Sequence, residues 1–192
     1  MEPLRLGLFG GSFDPPHMGH LVVAQDIVES LELDRLLFIP AGNPPHKLDR
    51  ILAPAPLRLQ MVRALVAGDE RFGVSEVELS RSGPSYTVDT LRHYRELHPD
   101  GELFFIMGAD QAALLDTWQE PRVVAELATL VVMARKGADI PSKGFVSAPV
   151  TRVDISSSDI RARIREGRAI RYLVPEAVEK IIESNRLYRV VQ

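Results

Sequence analysis

The chain has 192 residues, of which 45% are hydrophobic, 26% charged and 6% aromatic, proportions that suit one globular domain and exclude wholesale disorder. Twenty-three Lys and Arg stand against 26 Asp and Glu, so the formal charge of -3 argues against a strongly basic nucleic-acid binder. With no cysteine, disulfides, thiolate metal sites and cysteine nucleophiles are excluded.

The N-terminal residues lack the basic start and long apolar stretch of a secretory signal, and no run approaches ~18 apolar residues, so a soluble, cytoplasmic protein is expected. Residues 5-9 form an apolar run ending in Gly10-Gly11, read as a buried strand entering a turn. Leu21, Ala24, Ile27, Val28 and Leu31 share one helical face over residues 20-31. Leu36-Ile39 is a second strand stopped by Pro40, followed by a proline-rich loop from Ala41 to about Pro54. A helix over 56-66 is expected through Leu57, Met61, Ala64 and Leu65, then a strand near Gly73-Leu79 and a turn at Gly83-Pro84. Thr87-Leu97 reads as a helix with Val88, Leu91, Tyr94 and Leu97 spaced three residues apart. Leu103-Met107 and Leu130-Met133 are strands, separated by short helices over 110-116 and 121-127. A loop over 136-144, a last strand over 146-155 and helices over Ser158-Gly167 and Pro175-Ser184 complete the chain, with the final Val190-Val191-Gln192 frayed.

Strands alternate with helices, and the strands are solid apolar runs. Both features predict an α/β fold with a mostly parallel sheet covered on two faces, whose ligands bind at the C-terminal ends of strands near a topological switch point. One domain over 1-192 is expected, with a small helical part from about residue 156.

The loop after the first strand reads Gly10-Gly11-Ser12-Phe13-Asp14-Pro15-Pro16-His17-Met18-Gly19-His20. It is neither the three-glycine dinucleotide fingerprint nor a P-loop, since no Gly-Lys pair occurs in the chain. It is nonetheless suited to phosphate. Gly10 and Gly11 allow close backbone approach, Ser12 adds a hydroxyl, and two prolines reduce the entropy of ordering. His17 and His20, at i and i+3, fall on one face beside the positive end of the next helix. A metal pair, or ordinary histidines in a turn, are the competing readings. The second signal is Ile155-Ser156-Ser157-Ser158-Asp159-Ile160-Arg161. A serine before a helix is a cap, but three exceed what a cap needs and could form a second anion cradle with Arg161. From Arg152 to Arg171 six arginines face three acids, which is locally basic.

Taken together, these two strings resemble the nucleotidyltransferase superfamily marked by HxGH and SSTxIR motifs, with Ser158 where threonine is common. Pro44-Pro45-His46-Lys47, Gly83 to Thr90, Gly108-Ala109-Asp110 and Trp118 extend the likeness from Leu6 to about Tyr188, most closely to the bacterial nicotinate mononucleotide adenylyltransferases. The resemblance implies a Rossmann-like, doubly wound fold of the HUP type, cytosolic NAD synthesis, ATP and nicotinate mononucleotide as substrates, and Mg2+ carried mainly by the ATP phosphates. It implies catalytic roles for His17, His20 and Arg161. ATP and phosphate contacts are implied for Gly10, Gly11, Ser12, Phe13, Lys47, Gly108, Asp110, Ser157 and Ser158. Ser85, Tyr86, Thr87 and Trp118 are implied to bind the mononucleotide. Lys47 could instead be an exposed loop lysine, Asp110 a helix cap and Trp118 a core group. No metal-ligand residue is assigned, no nucleic-acid or membrane partner is expected, and a homo-oligomer is left open. A phosphopantetheine or nicotinamide mononucleotide enzyme, or a binding module without turnover, are the alternatives. The phosphopantetheine enzymes carry Thr in place of the first His and have a shorter chain.

Overall fold

The computed structural model describes residues 2-43, 53-134 and 144-189. In chain order the elements are β1 (Arg5–Gly11), α1 (Met18–Ser30), β2 (Arg35–Pro40), α2 (Ala55–Val66), β3 (Phe72–Val74), α3 (Thr87–Leu97) and β4 (Glu102–Gly108). Then follow α4 (Ala109–Ala112), a 3-10 turn (Leu115–Thr117), α5 (Pro121–Leu127), β5 (Thr129–Ala134), β6 (Val146–Pro149), α6 (Ser157–Arg165) and α7 (Glu176–Ser184). Lys47, most of the loop expected over 136-144 and the terminal Val190-Gln192 lie outside the described residues.

Among the described residues the strands form one six-stranded sheet in the order β3-β2-β1-β4-β5-β6, parallel at every pairing. The order reverses between β1 and β4, which are adjacent in the sheet and divergent in connection. Their carboxyl ends are therefore where a crevice is expected.

The apolar runs follow from two-sided burial, because successive strand residues feed opposite cores. Leu103, Phe105 and Met107 of β4 join Leu6 and Leu8 of β1 and Val88 and Leu91 of α3 on one face. Phe104 and Ile106 join Phe9, Ile27 of α1 and Met61 of α2 on the other, and Ile160, Val178 and Ile182 of α6 and α7 complete that second core. No described helix is long and apolar enough to cross a membrane.

Four expectations differ from the structure, each for a local reason. The strand expected over 73-79 ends at Val74, because the Ser75 hydroxyl accepts from Val77 N–H at 3.2 Å and turns the chain. The strand expected over 146-155 ends at Pro149, and Thr151 N–H donates to the Asp26 carboxylate on α1 instead of to a sheet neighbour. In α3, Leu97 is 57% exposed while Thr90 is buried. Three steps of three residues turn a helix by half a revolution, so Leu97 cannot share the face of Val88. In α2 the buried stripe is Arg58, Met61, Val62 and Leu65, one residue round from the face expected through Leu57.

Candidate active site at the sheet switch point

β1 delivers Gly10 and Gly11 to the switch point, and the chain then runs irregularly to His17, which precedes the first turn of α1. The His17 and His20 rings stack with centroids 3.7 Å apart and planes 28° from parallel. Gly19 between them leaves room for that stacking. A Cβ there would lie 3.0 Å from His17 Nδ1 and 3.1 Å from Cε1, so any side chain would displace the ring. His20 Nδ1 accepts from the His17 backbone N–H at 3.1 Å, so the neutral His20 ring carries its proton on Nε2 as a hydrogen-bond donor. Phe13 supports this ring edge-on at 5.0 Å, itself 2% exposed and with a left-handed backbone, φ 47°.

Both histidines are held neutral. Burial lowers His17 from 6.5 to about 4. His20 falls well below 6.5, first through the protein packed round its ring and then through repulsion from His17. Two charged rings at their 3.7 Å separation would repel by about 4 kcal/mol at an effective dielectric of about 20. His17 Nδ1 is buried with no hydrogen-bond partner among the described residues.

The N-terminus of α6 meets the same loop. Ser156 is the cap, accepting from Asp159 N–H at 3.1 Å, which leaves Ser157 and Ser158 as the first two helical residues. Ser157 Oγ donates to the Pro15 carbonyl at 2.8 Å, and Arg161 Nη1 donates to the Asp14 carbonyl at 2.7 Å. Arg161 Nη2 also donates to Ser158 Oγ at 3.2 Å.

Across the switch point lies a cleft lined by Gly10, Gly11, Ser12, Ser85, Tyr86, Thr87, Gly108 and Trp118, with Glu78, Phe105, Gln111 and Gln119 beside them. Its cavity volume of about 150 Å3 is on the order of a space that admits one six-membered ring. Trp118 stands edge-on to Phe105 at 6.0 Å and is half-buried. Tyr86 caps α3 without a side-chain bond, and the first intrahelical donor is Asp89, so the Thr87 and Val88 N–H groups face outward from the helix start.

The turn before α3 is fixed by a clamp to the segment after β2. Ser85 N–H donates to the Asn43 carbonyl at 3.0 Å, Asn43 N–H donates back to Ser85 Oγ at 3.1 Å, and Asn43 Nδ2 reaches the Gly83 carbonyl at 3.2 Å. Gly42 permits this closeness, since a Cβ there would sit 2.3 Å from the Glu78 carbonyl oxygen. Glu78 completes the clamp by accepting from Thr90 Oγ1 at 3.1 Å, and burial raises its pKa above 4.5.

The expected residues therefore fall into two neighbouring groups, the cleft lining and the histidine-serine-arginine cluster. Asp110 stays apart, exposed in the first turn of α4, where the capping bond weighed for it is not formed. Ser85 Oγ accepts from Asn43 N–H in the clamp while Ser85 lines the cleft.

Glu78, Gln111 and Gln119 were not anticipated, nor was a buried network under the loop. Asp14 and Arg58 are each 2% exposed. Arg58 Nη1 donates to the Ser12 carbonyl at 3.0 Å and its Nε to the Ala53 carbonyl at 3.2 Å. Asp14 Oδ1 accepts from Ala53 N–H at 3.1 Å and from the Tyr188 hydroxyl at 2.7 Å. Burial lowers the Arg58 pKa, with Asp14 the foremost of the charges that offset it. The helix face expected through Leu57 left Arg58 outside the core, so apolar spacing gave no signal for it.

The cytidylyltransferase-like family matches residues 8-163. A relative from Thermus thermophilus, whose name reads "probable nicotinate-nucleotide adenylyltransferase", is 52% identical over 97% of this chain and 100% of its own length. One of the same name from Thermomicrobium roseum is 45% identical over 98% and 93%. The solved Plasmodium falciparum nicotinic acid mononucleotide adenylyltransferase complexed with NaAD shares the fold, with a TM-score of 0.80 at 20% identity over 96% of this chain and 97% of that one. The match of the family over most of the chain, and of relatives end to end, shows that this chain belongs to the cytidylyltransferase-like family and, within it, to the nicotinate-nucleotide adenylyltransferases.

Proposed function

We propose that the chain transfers the adenylyl group of ATP to nicotinate mononucleotide, forming deamido-NAD and releasing pyrophosphate. The observation that carries this reading is the switch point at which an anion cradle adjoins a ring-sized aromatic cleft. The names of full-length relatives supply the chemical identity of the substrates.

An oxygen of the mononucleotide phosphate attacks the α-phosphorus of ATP in line. The bond from that phosphorus to the α,β-bridging oxygen breaks, and its electron pair leaves with pyrophosphate. The attacking group is already anionic, so no protein nucleophile is needed, and catalysis reduces to positioning and charge stabilisation. Gly10, Gly11 and Ser12 offer close backbone approach. His20 offers its Nε2–H, with the His17 ring stacked alongside. Arg161 and Ser157 hold the departing phosphates by exchanging loop carbonyls for phosphate oxygens, with Ser158 beside them accepting from Arg161. A magnesium ion brought in with ATP would supply charge neutralisation for the departing pyrophosphate. The donor set of the cradle matches those oxygens rather than a cation, so no residue of this chain is assigned to the ion.

Acceptor selectivity rests on the N-terminus of α3. The N–H groups of Thr87 and Val88 suit a carboxylate, whereas an amide would bring its own N–H toward them. A buried pairing failure of this type supports discrimination up to about 10^4-fold. Trp118 supplies a flat face for the pyridine ring. On this reading the chain works in the cytosol and requires neither nucleic acid nor membrane.

The test mixes purified protein with ATP, Mg2+ and either nicotinate or nicotinamide mononucleotide and follows pyrophosphate. Fast release with the acid and slow release with the amide supports both reaction and selectivity. Equal rates would remove the role given to the start of α3. No pyrophosphate with either acceptor would overturn the reaction.

A further inference from the structure

We infer that Tyr188, in the C-terminal segment after α7, is a positioning residue for adenylyl transfer: through Asp14 it fixes the loop that receives the ATP phosphates. The inference rests on the reaction proposed above. The stretch from Ser12 to His17 has no regular secondary structure, so bonds from distant segments must set its shape. Two of those bonds come from Arg161 and Ser157, on the Asp14 and Pro15 carbonyls. On the proposed reaction both residues belong to the cradle, and the donors they give to the loop are the ones that phosphate would take.

Another set of contacts is not spent in this way. Arg58 holds the Ser12 carbonyl, while Ala53 N–H and the Tyr188 hydroxyl hold the Asp14 carboxylate at 3.1 and 2.7 Å. None of Asp14, Arg58 and Tyr188 lines the cleft. Their bonds therefore survive nucleotide binding and keep the donors of the loop aimed at charge that develops in the transition state. The Tyr188 hydroxyl is suited to this, because burial, and then the Asp14 charge, keep the phenol protonated and donating. Arg186 and Tyr188 both adopt left-handed backbone, with φ of 51° and 64°. Such conformations are uncommon away from glycine and persist where surrounding contacts over-determine them.

The test is Tyr188→Phe, which keeps the ring and removes the donor. Calorimetry with ATP and Mg2+ in the absence of acceptor should show ATP affinity lowered about tenfold, the scale of a lost hydrogen bond to a charged group. Turnover should fall with it, while KM for nicotinate mononucleotide stays within about twofold, because the acceptor cleft is held by the separate Asn43–Ser85 clamp. A purely structural hydroxyl would lower the melting temperature and leave ATP affinity and kcat at wild-type values, and that result overturns the inference. As an independent arm, Asp14→Asn retains an oxygen that can accept from both donors and should keep more ATP affinity than Asp14→Ala. Equal losses would also count against it. If the wild-type protein binds no ATP, the reaction reading falls and takes the inference with it. If wild type binds and Tyr188→Phe matches it, only the inference falls.

Discussion

His17 makes a quantitative prediction about acid stability. Its ring is 7% exposed, and burial lowers its pKa from 6.5 to about 4. The unfolded chain therefore binds a proton more readily than the folded one. The corresponding stability is fully present above pH 6.5 and is lost as pH falls through about 4. The whole effect amounts to about 3 kcal/mol, with roughly 2 kcal/mol already gone at pH 5. His20 is lowered for the same leading reason and adds in the same direction. The perturbation is His17→Asn, which removes the titrating ring. Urea unfolding of both proteins at pH 7.5 and pH 5.0 gives a difference of differences in which the carboxylates cancel. Wild type should lose about 2 kcal/mol more than the variant over that interval. Parallel losses would refute the assignment of a neutral, buried His17. Saturating inorganic pyrophosphate should shrink the gap at pH 5, because a bound anion favours the protonated ring.

Three further outcomes are expected. His20→Ala should lower kcat by about 10^2-fold or more in a folded protein if Nε2–H meets developing charge, and steady-state pyrophosphate release checks this. Trp118→Ala should raise KM for the mononucleotide and leave KM for ATP unchanged, whereas an equal rise in both would make Trp118 a packing group only. Gly42→Ala must push the segment after β2 off the Glu78 carbonyl, 2.3 Å from the new Cβ. It should cost about 1–3 kcal/mol by urea unfolding and weaken acceptor binding more than ATP binding.

The fold was legible because a parallel sheet buried on both faces leaves an unmistakable trace. Leu103 to Met107 is apolar throughout, since alternate residues enter different cores. Strand ends were less legible because backbone partners, not hydrophobicity, decide them. Val77 finds the Ser75 hydroxyl and Thr151 finds Asp26, and neither bond has a signature in apolar spacing. The same holds for the clamp, where Asn43 and Ser85 meet across 42 positions. Arg58 and Tyr188 contact the phosphate loop across 46 and 174 positions. Their roles depend on where the sheet brings the chain back, and no local motif records that.

What was legible in the site was the part whose constraints are local. Stacked rings three residues apart, a glycine between them and a backbone N–H returned to His20 Nδ1 all fall within one turn of α1. That turn supplies hydrogen-bond geometry but little charge, since both rings are neutral near pH 7. A permanent cation comes from Arg161 on α6, tied to the loop through the Asp14 carbonyl. On the proposed reaction this division has a consequence for turnover. Neutral donors stabilise the transition state without holding pyrophosphate as tightly as two imidazolium rings would. Protonating the His17 ring as pH falls toward about 4 should slow product release even where it strengthens binding. A viscosity- and pH-dependent drop in kcat at low pH, with no matching drop in the single-turnover rate, is the pattern this requires.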